Sequence, residues 1–279
     1  MIFNVNMSSL MLNDEKREAI EYIRECNLLV SKTLAEIAKI VEPGITTLEL
    51  DRIAEEFILD HGAVPGFKGY NGFPNTLCTS VNSQVVHGIP SSYVLKEGDI
   101  VSVDCGVKKN GYYGDTAYTY AVAELSEEVA ELLKVTHDSL YKGIEQALAG
   151  NRIGDIGSAV QQHAESAGFS VVREMVGHGL GTKLHEEPEV PNYGKRGQGP
   201  LLKKGMVLCI EPMINLGGKA IIQEADGWTI RTRDNKPSAH YELAIVIEKG
   251  QADILSTFTY IEKELMFKNK GLPWQNKRP

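Results

Sequence analysis

The chain has 279 residues, of which 42% are hydrophobic and 24% charged, and carries a formal charge of -8. A chain of this length buries a full core, as one large domain or two small ones, and its acidic balance argues against a dedicated nucleic-acid binder, leaving room only for local basic patches. The longest mostly apolar runs fall short of the ~18 to 20 residues of a membrane span, and MIFNVNMSSLMLNDEKRE, 1–18, lacks the features of a signal peptide, so a cytoplasmic location is expected.

The first predicted element is a long helix from about Asn13 to Val41. Ile20, Ile23, Val30, Leu34, Ile37 and Val41 recur at helical spacing, and Pro43-Gly44 ends the run. A second helix begins at Thr46, which with Glu49 has the capping-box pattern; Leu50, Ile53, Ala54, Phe57 and Ile58 form its apolar stripe and Gly62 its stop. GFKGYNGFPNT, 66–76, is too rich in glycine and aromatic residues for a regular element and suits a pocket wall. Strand-like LCTSVNSQVVHGI follows. In VSVDCGVKKNGYYGDTAYTY, 101–120, Val101, Val103 and Val107 alternate as on a half-buried strand, and the aromatic and β-branched run from Tyr112 to Tyr120 reads the same way. Asp104 and Asp115 interrupt both runs. Aspartate is a poor strand residue, and an unpaired buried carboxylate costs several kcal/mol or takes up a proton.

Ser126 to Ala149 and Ile153 to Ala167 are predicted as two further helices, after which the chain returns to strands and loops: VVREMVGHGLG, a Gly/Pro-rich crossing to Pro200, MVLCIEPMINL, DGWTIRTRD and HYELAIVIEKG. Two passes of helices followed by antiparallel-looking strands predict an α+β fold with internal pseudo-symmetry, its helices packed on one face of a curved sheet. No linker-like segment divides the chain. A single catalytic domain over 1–262 is expected, with 1–12 as an N-terminal extension and 263–279 as a basic tail. Cys26, Cys78, Cys105 and Cys209 lie far apart with no CxxC pair and are expected to be reduced thiols.

The problem set by the two aspartates recurs in the second half, with Glu211 in strand-like VLCIEPM and Glu242 in YELAIVI. Any one of these carboxylates has an ordinary reading on a solvated face or beside a lysine or arginine. Four exceed the local supply of cations, because Lys108, Lys109, Arg231 and Arg233 lie in or beside turns. Gathered together they would repel one another, and two divalent metal ions balance their charge. Carboxylate with imidazole is a ligand set for Mn, Fe, Co or Zn. His178 in GHGLG is the imidazole candidate, since flanking glycines let the backbone turn sharply. His137 and His163 read as helix-surface residues and His61 as a helix end, whereas His87 and His185 fall in turn-rich segments.

Asp104 and Asp115 with ten residues between them, then GHGLG, IEP and YELAIV, follow the ordered ligand series of the pita-bread metallopeptidases. From about Ile20 to Gly250 the chain resembles the type I methionine aminopeptidases, and VVHGIP, YYGDT and LHEEP agree with them. The resemblance implies a pita-bread fold in which Asp104 chelates one of two divalent ions, Asp115 and Glu242 bridge both, and His178 and Glu211 complete the other. It implies removal of the initiator methionine from nascent chains when the next residue is small, by a water bridging the two ions. Glu211 is then the proton shuttle to the departing amine, His185 contacts the scissile peptide, and His87 polarises the substrate near its nitrogen. The same resemblance puts Phe67, Tyr70, Phe73, Cys78, Leu184 and Trp228 around the methionine side chain. Phe67 stands where the best-known bacterial pattern has a cysteine-like residue, and Leu184 where it has an aromatic one.

Within that fold the rival enzyme is a proline-type aminopeptidase, which usually carries an additional N-terminal domain; a non-catalytic peptide-binding homologue would have lost ligands, and all five positions are filled here. Lys195, Arg196, Lys203 and Lys204 cluster around the Gly/Pro-rich crossing, and an enzyme acting on nascent chains could rest them transiently on ribosomal RNA. Neither DNA nor a membrane is expected as a partner, and a monomer is expected.

Overall fold

The computed structural model describes residues 14–268, so the N-terminal extension 1–12 and most of the basic tail lie outside the described residues. Helices α1 (Asp14–Ile40) and α2 (Thr47–Asp60) follow the apolar periodicity closely, and the Thr46 side chain accepts the Glu49 N–H at the start of α2. Helix α3 (Glu127–Ile144) is capped by Ser126 and stops five residues short of the predicted Ala149. Its end tightens into i to i+3 bonds from Gln146 N–H to Gly143 and Ala147 N–H to Ile144, after which Ala149 pairs with Glu248 instead. Helix α4 (Ile153–Ser166) matches its prediction to within a residue. Helix α5 (Thr259–Phe267) buries Ile261 and Leu265 and so crosses the expected domain edge at 262. No helix among the described residues is long and apolar enough to cross a membrane.

A hairpin of two ten-residue strands dominates the first half. Strands Ile100–Lys109 and Tyr112–Ala121 pair antiparallel across a two-residue turn, Asn110-Gly111, whose φ angles of 52° and 84° are the positive pair that a twisted hairpin requires. Val101, Val103, Cys105 and Val107 face α1 and α2 in the main core, so the even positions Ser102, Asp104 and Gly106 occupy the opposite face. The register puts Asp104 opposite Ala117 and Gly106 opposite Asp115, which makes the two aspartates diagonal neighbours on that face. Strand Leu77–Val81 adds on the other edge, with Cys78 opposite Asp104.

The second half repeats the device with a difference. Val207–Ile210 pairs with Leu243–Val246, and Met213–Asn215 pairs with Ser238–His240, both antiparallel and on one continuous register. Between them the ladder opens for two residues, where Glu211 stands opposite Glu242. Both glutamates therefore lie in strand breaks and not within strands as the apolar flanks suggest. Like charges facing each other disfavour pairing, and Pro212 has no N–H to donate. The Glu242 N–H bonds Ala117 O across the molecule at 3.0 Å, and the Thr119 hydroxyl bonds His240 O at 2.7 Å, joining the halves. His137, read as a surface residue, is largely covered and packs on Tyr141, Tyr241 and Phe258.

Candidate metal centre and active site

All thirteen residues singled out in the sequence line one cavity of about 330 Å³: the five proposed ligands, His87 and His185, and the six pocket residues. Its lining contains Glu174 in addition to the four carboxylates, and no lysine or arginine among the described residues.

At the floor, Oδ1 of Asp104, Oδ1 of Asp115 and Oε1 of Glu242 are sealed from solvent without a hydrogen-bond partner. Burial raises the Asp104 carboxyl to about 7. Burial, followed by neighbouring carboxylates, pushes Asp115, Glu211 and Glu242 well above the usual range. The site is thus strongly averse to its own negative charge. Orphaned anionic acceptors with no lysine or arginine beside them fit divalent cations.

His178 is held for ligation. Its Nδ1–H donates to Gly179 O at 2.9 Å, which leaves the Nε2 lone pair 3.6 Å from Glu211 Oε1 and 3.8 Å from Asp115 Oδ2. Burial lowers His178 to about 4, so the ring is neutral at pH 7, as ligation requires. The flanking glycines lie in a strand, Gly177–Gly179, and not in a sharp turn. Their small size matters because a Cβ at 177 would strike Cys209 O and one at 179 would come within 2.5 Å of Glu187 O. Asp115 is placed by α1: its N–H donates to Asn27 Oδ1 at 3.1 Å, and Gly114 lets the helix backbone approach, since a Cβ there would lie 2.5 Å from the Cys26 carbonyl carbon.

Asp115, His178, Glu242 and Cys209 each offer a donor atom within 4.8 Å of one another. Cys209 was not foreseen there. Burial pushes its thiol well up, as it does the carboxyls of Asp115, Glu211 and Glu242 beside it.

His87 sits in the left-handed region at φ 60°, a conformation unusual for a side chain of its size, and its ring meets Trp228 edge-on at 6.5 Å. Burial lowers it to about 4. The His185 ring stands edge-on to His178 at 4.3 Å, and its Nδ1 is 2.9 Å from the Tyr70 hydroxyl. Phe73 meets Trp228 edge-on at 5.2 Å. Phe67 packs over Gly106, where a Cβ would lie 2.5 Å from its ring, so that glycine admits the larger aromatic. The aromatic loop is pinned at its exit by Asp51 of α2, which accepts from Asn75, Thr76 and Leu77 at 2.8 to 2.9 Å.

Sequence reasoning missed Asn71, Val86, Glu174, Met175, Val176 and Met213, which line the same cavity. It also missed His240, buried with Nε2 3.7 Å from Glu211 Oε2. The only available hint was its position two residues before Glu242.

The chain is similar to known proteins. The metallopeptidase family M24 matches residues 21–249. The methionine aminopeptidase of Clostridium perfringens is 53% identical over 237 residues, covering 85% of this chain and 95% of the relative. Methionine aminopeptidase 1 of Bacillus subtilis is 52% identical over 234 residues, covering 84% and 94%. The crystal structure of methionine aminopeptidase from Thermotoga maritima matches with a TM-score of 0.86 at 42% identity, covering 88% of this chain and 100% of that one.

Proposed function

The chain belongs to metallopeptidase family M24 and has its pita-bread α+β fold, and from that premise we propose that it is a methionine aminopeptidase, a metal-dependent hydrolase that removes N-terminal methionine when the next residue is small. The observation that carries this reading is the cluster of four carboxylates and a neutral imidazole, three of its oxygens orphaned, at the floor of an aromatic-lined cavity with no lysine or arginine among the described residues.

Asp104, Asp115, His178, Glu211 and Glu242 would hold two divalent ions, Co, Mn, Fe or Zn, whose four positive charges match the four carboxylates. Such ions supply Lewis acidity towards a peptide carbonyl and acidify water. Glu211, its carboxyl pushed up by burial, is suited to carry a proton to the departing amine. His185 has Nδ1 engaged with Tyr70, which leaves Nε2 for the scissile peptide. His87, kept neutral by burial, polarises the substrate near its amine. Phe67, Tyr70, Phe73, Cys78, Leu184 and Trp228 enclose an unbranched thioether, which adapts to irregular apolar space and gains sulfur–aromatic contact.

Nascent chains in the cytoplasm are the proposed substrates. Lys204 is paired with Glu248 at 2.8 Å, so a transient ribosome contact rests on Lys195, Arg196 and Lys203. The decisive test is incubation of the purified protein with Co²⁺ or Mn²⁺ and a Met-Ala-Ser peptide: free methionine is expected, and none in either metal would overturn the reading.

A further inference from the structure

The proposed ligands and substrate contacts together leave one imidazole beside the site without a role. His240 closes strand Ser238–His240 with its side chain 1% exposed, and Nε2 is sealed from solvent with no hydrogen-bond partner. The backbone allows it little freedom. His240 pairs with Met213 in the ladder, its N–H donates to the Thr119 hydroxyl at 3.0 Å, and its carbonyl accepts from that hydroxyl at 2.7 Å. The Ser102 and Thr119 hydroxyls are themselves bonded at 2.8 Å.

The Glu211 carboxylate lies between two imidazoles, Oε1 being 3.6 Å from His178 Nε2 and Oε2 3.7 Å from His240 Nε2. The two rings are not equivalent. His178 spends its N–H on Gly179 O and presents a lone pair, whereas Nε2 of His240 has no hydrogen-bond partner and approaches the Glu211 carboxylate. With Glu211 ionised, as a metal ligand is, a lone pair buried there would face a carboxylate oxygen, so the tautomer carrying hydrogen on Nε2 is the favourable one. The separation is slightly long for a hydrogen bond, as such contacts commonly are before substrate or cofactor tightens a site.

We propose that His240 is a positioning residue, donating an Nε2–H hydrogen bond to Oε2 of Glu211 and so holding Oε1 towards His178 and the cavity. The proposal rests on the reading of Glu211 as ligand and proton carrier. It assigns His240 no contact with substrate. Partners that orient a ligand in this way typically account for a 10–100-fold change in metal affinity or activity.

Calorimetric titration of Mn²⁺ into the chelator-treated protein, alongside H240Q and H240L, tests it. H240L is expected to lose about 10–100-fold in affinity for at least one Mn²⁺ equivalent. H240Q, whose amide keeps an N–H, is expected to recover most of that loss. An H240L affinity within twofold of the parent would overturn the proposal, as would an H240Q protein that folds normally yet binds as poorly as H240L. Should H240L fail to fold, ¹⁵N spectra of the parent decide: a protonated Nε2 on His240 that shifts in E211Q supports the bond, and a bare Nε2 overturns it. Failure of the parent to release methionine would sink the functional reading, while the Mn²⁺ affinities would still judge His240.

Discussion

Removing a carboxylate from the metal centre should stabilise the metal-free protein at alkaline pH. In Asp104→Asn the charge is lost with almost no change of shape. Asp104 Oδ1 has no partner, and burial raises the carboxyl from 3.8 to about 7. The unfolded chain therefore ionises near pH 4 while the folded chain holds its proton to about 7, so stability falls as pH rises through that window. The penalty is absent below the window and complete above it. At 1.36 kcal/mol per pKa unit, a rise of roughly three units amounts to ~4 kcal/mol at about pH 8. The asparagine amide keeps part of the cost of burial, so the net gain expected is ~1 to 4 kcal/mol at about pH 8, shrinking to nothing near pH 4.

Urea unfolding of both proteins in chelator, across that range, gives the difference directly. Subtraction removes the histidines common to both, which act with the opposite sign: His87 and His178, lowered to about 4, lose stability as pH falls below the ordinary 6.5. Saturating Mn²⁺ should reverse the order, since free metal at about 1,000 times its Kd adds ~4.1 kcal/mol to the protein that binds it. A flat difference curve, or an Asp104→Asn protein less stable than the parent at about pH 8 in chelator, would refute the reasoning.

Activity should fall in acid as His178 and the carboxylates take up protons in competition with metal, and raising Mn²⁺ should move that limb of the kcat/KM profile to lower pH; a limb indifferent to Mn²⁺ would mean that ligand protonation is not its cause. Trp228→Ala or Tyr70→Ala should open the pocket and lower the preference for Met-Ala-Ser over Leu-Ala-Ser by ~1 to 3 kcal/mol, a graded loss. Comparable kcat/KM of the parent on those peptides and on Met-Lys-Ser would show the pocket to be misassigned. Asn27→Leu should leave the Asp115 N–H unpaired, costing ~1 to 3 kcal/mol in urea unfolding and weakening Mn²⁺ binding, whereas unchanged values would show that the strand does not depend on that bond. Charge reversal at Lys195, Arg196 and Lys203 should reduce co-sedimentation with ribosomes at low salt; no change would rule the loop out.

Local order was legible in the chain itself. The stripes of α1, α2 and α4 and the alternation of Val101, Val103 and Val107 record which faces are apolar, and four carboxylates among apolar residues already demanded a cation. Their order along the chain was enough to suggest the family. What could not be read locally was set by pairing between distant segments. Cys78 lies beside Asp104 because strand Leu77–Val81 adopts one register, and Glu211 meets Glu242 because two ladders share a register broken for two residues. Helix α3 ends early because Ala149 finds a partner at Glu248. Asn27 and His240 carry no local mark, being an asparagine inside a helix and a histidine ending a short strand; each gains its place from residues about 30 or more positions away, at Asp115 and Glu211. Periodicity reports which side of an element is buried, but only the packed sheet decides what that side touches, because register and close approach are properties of two segments at once.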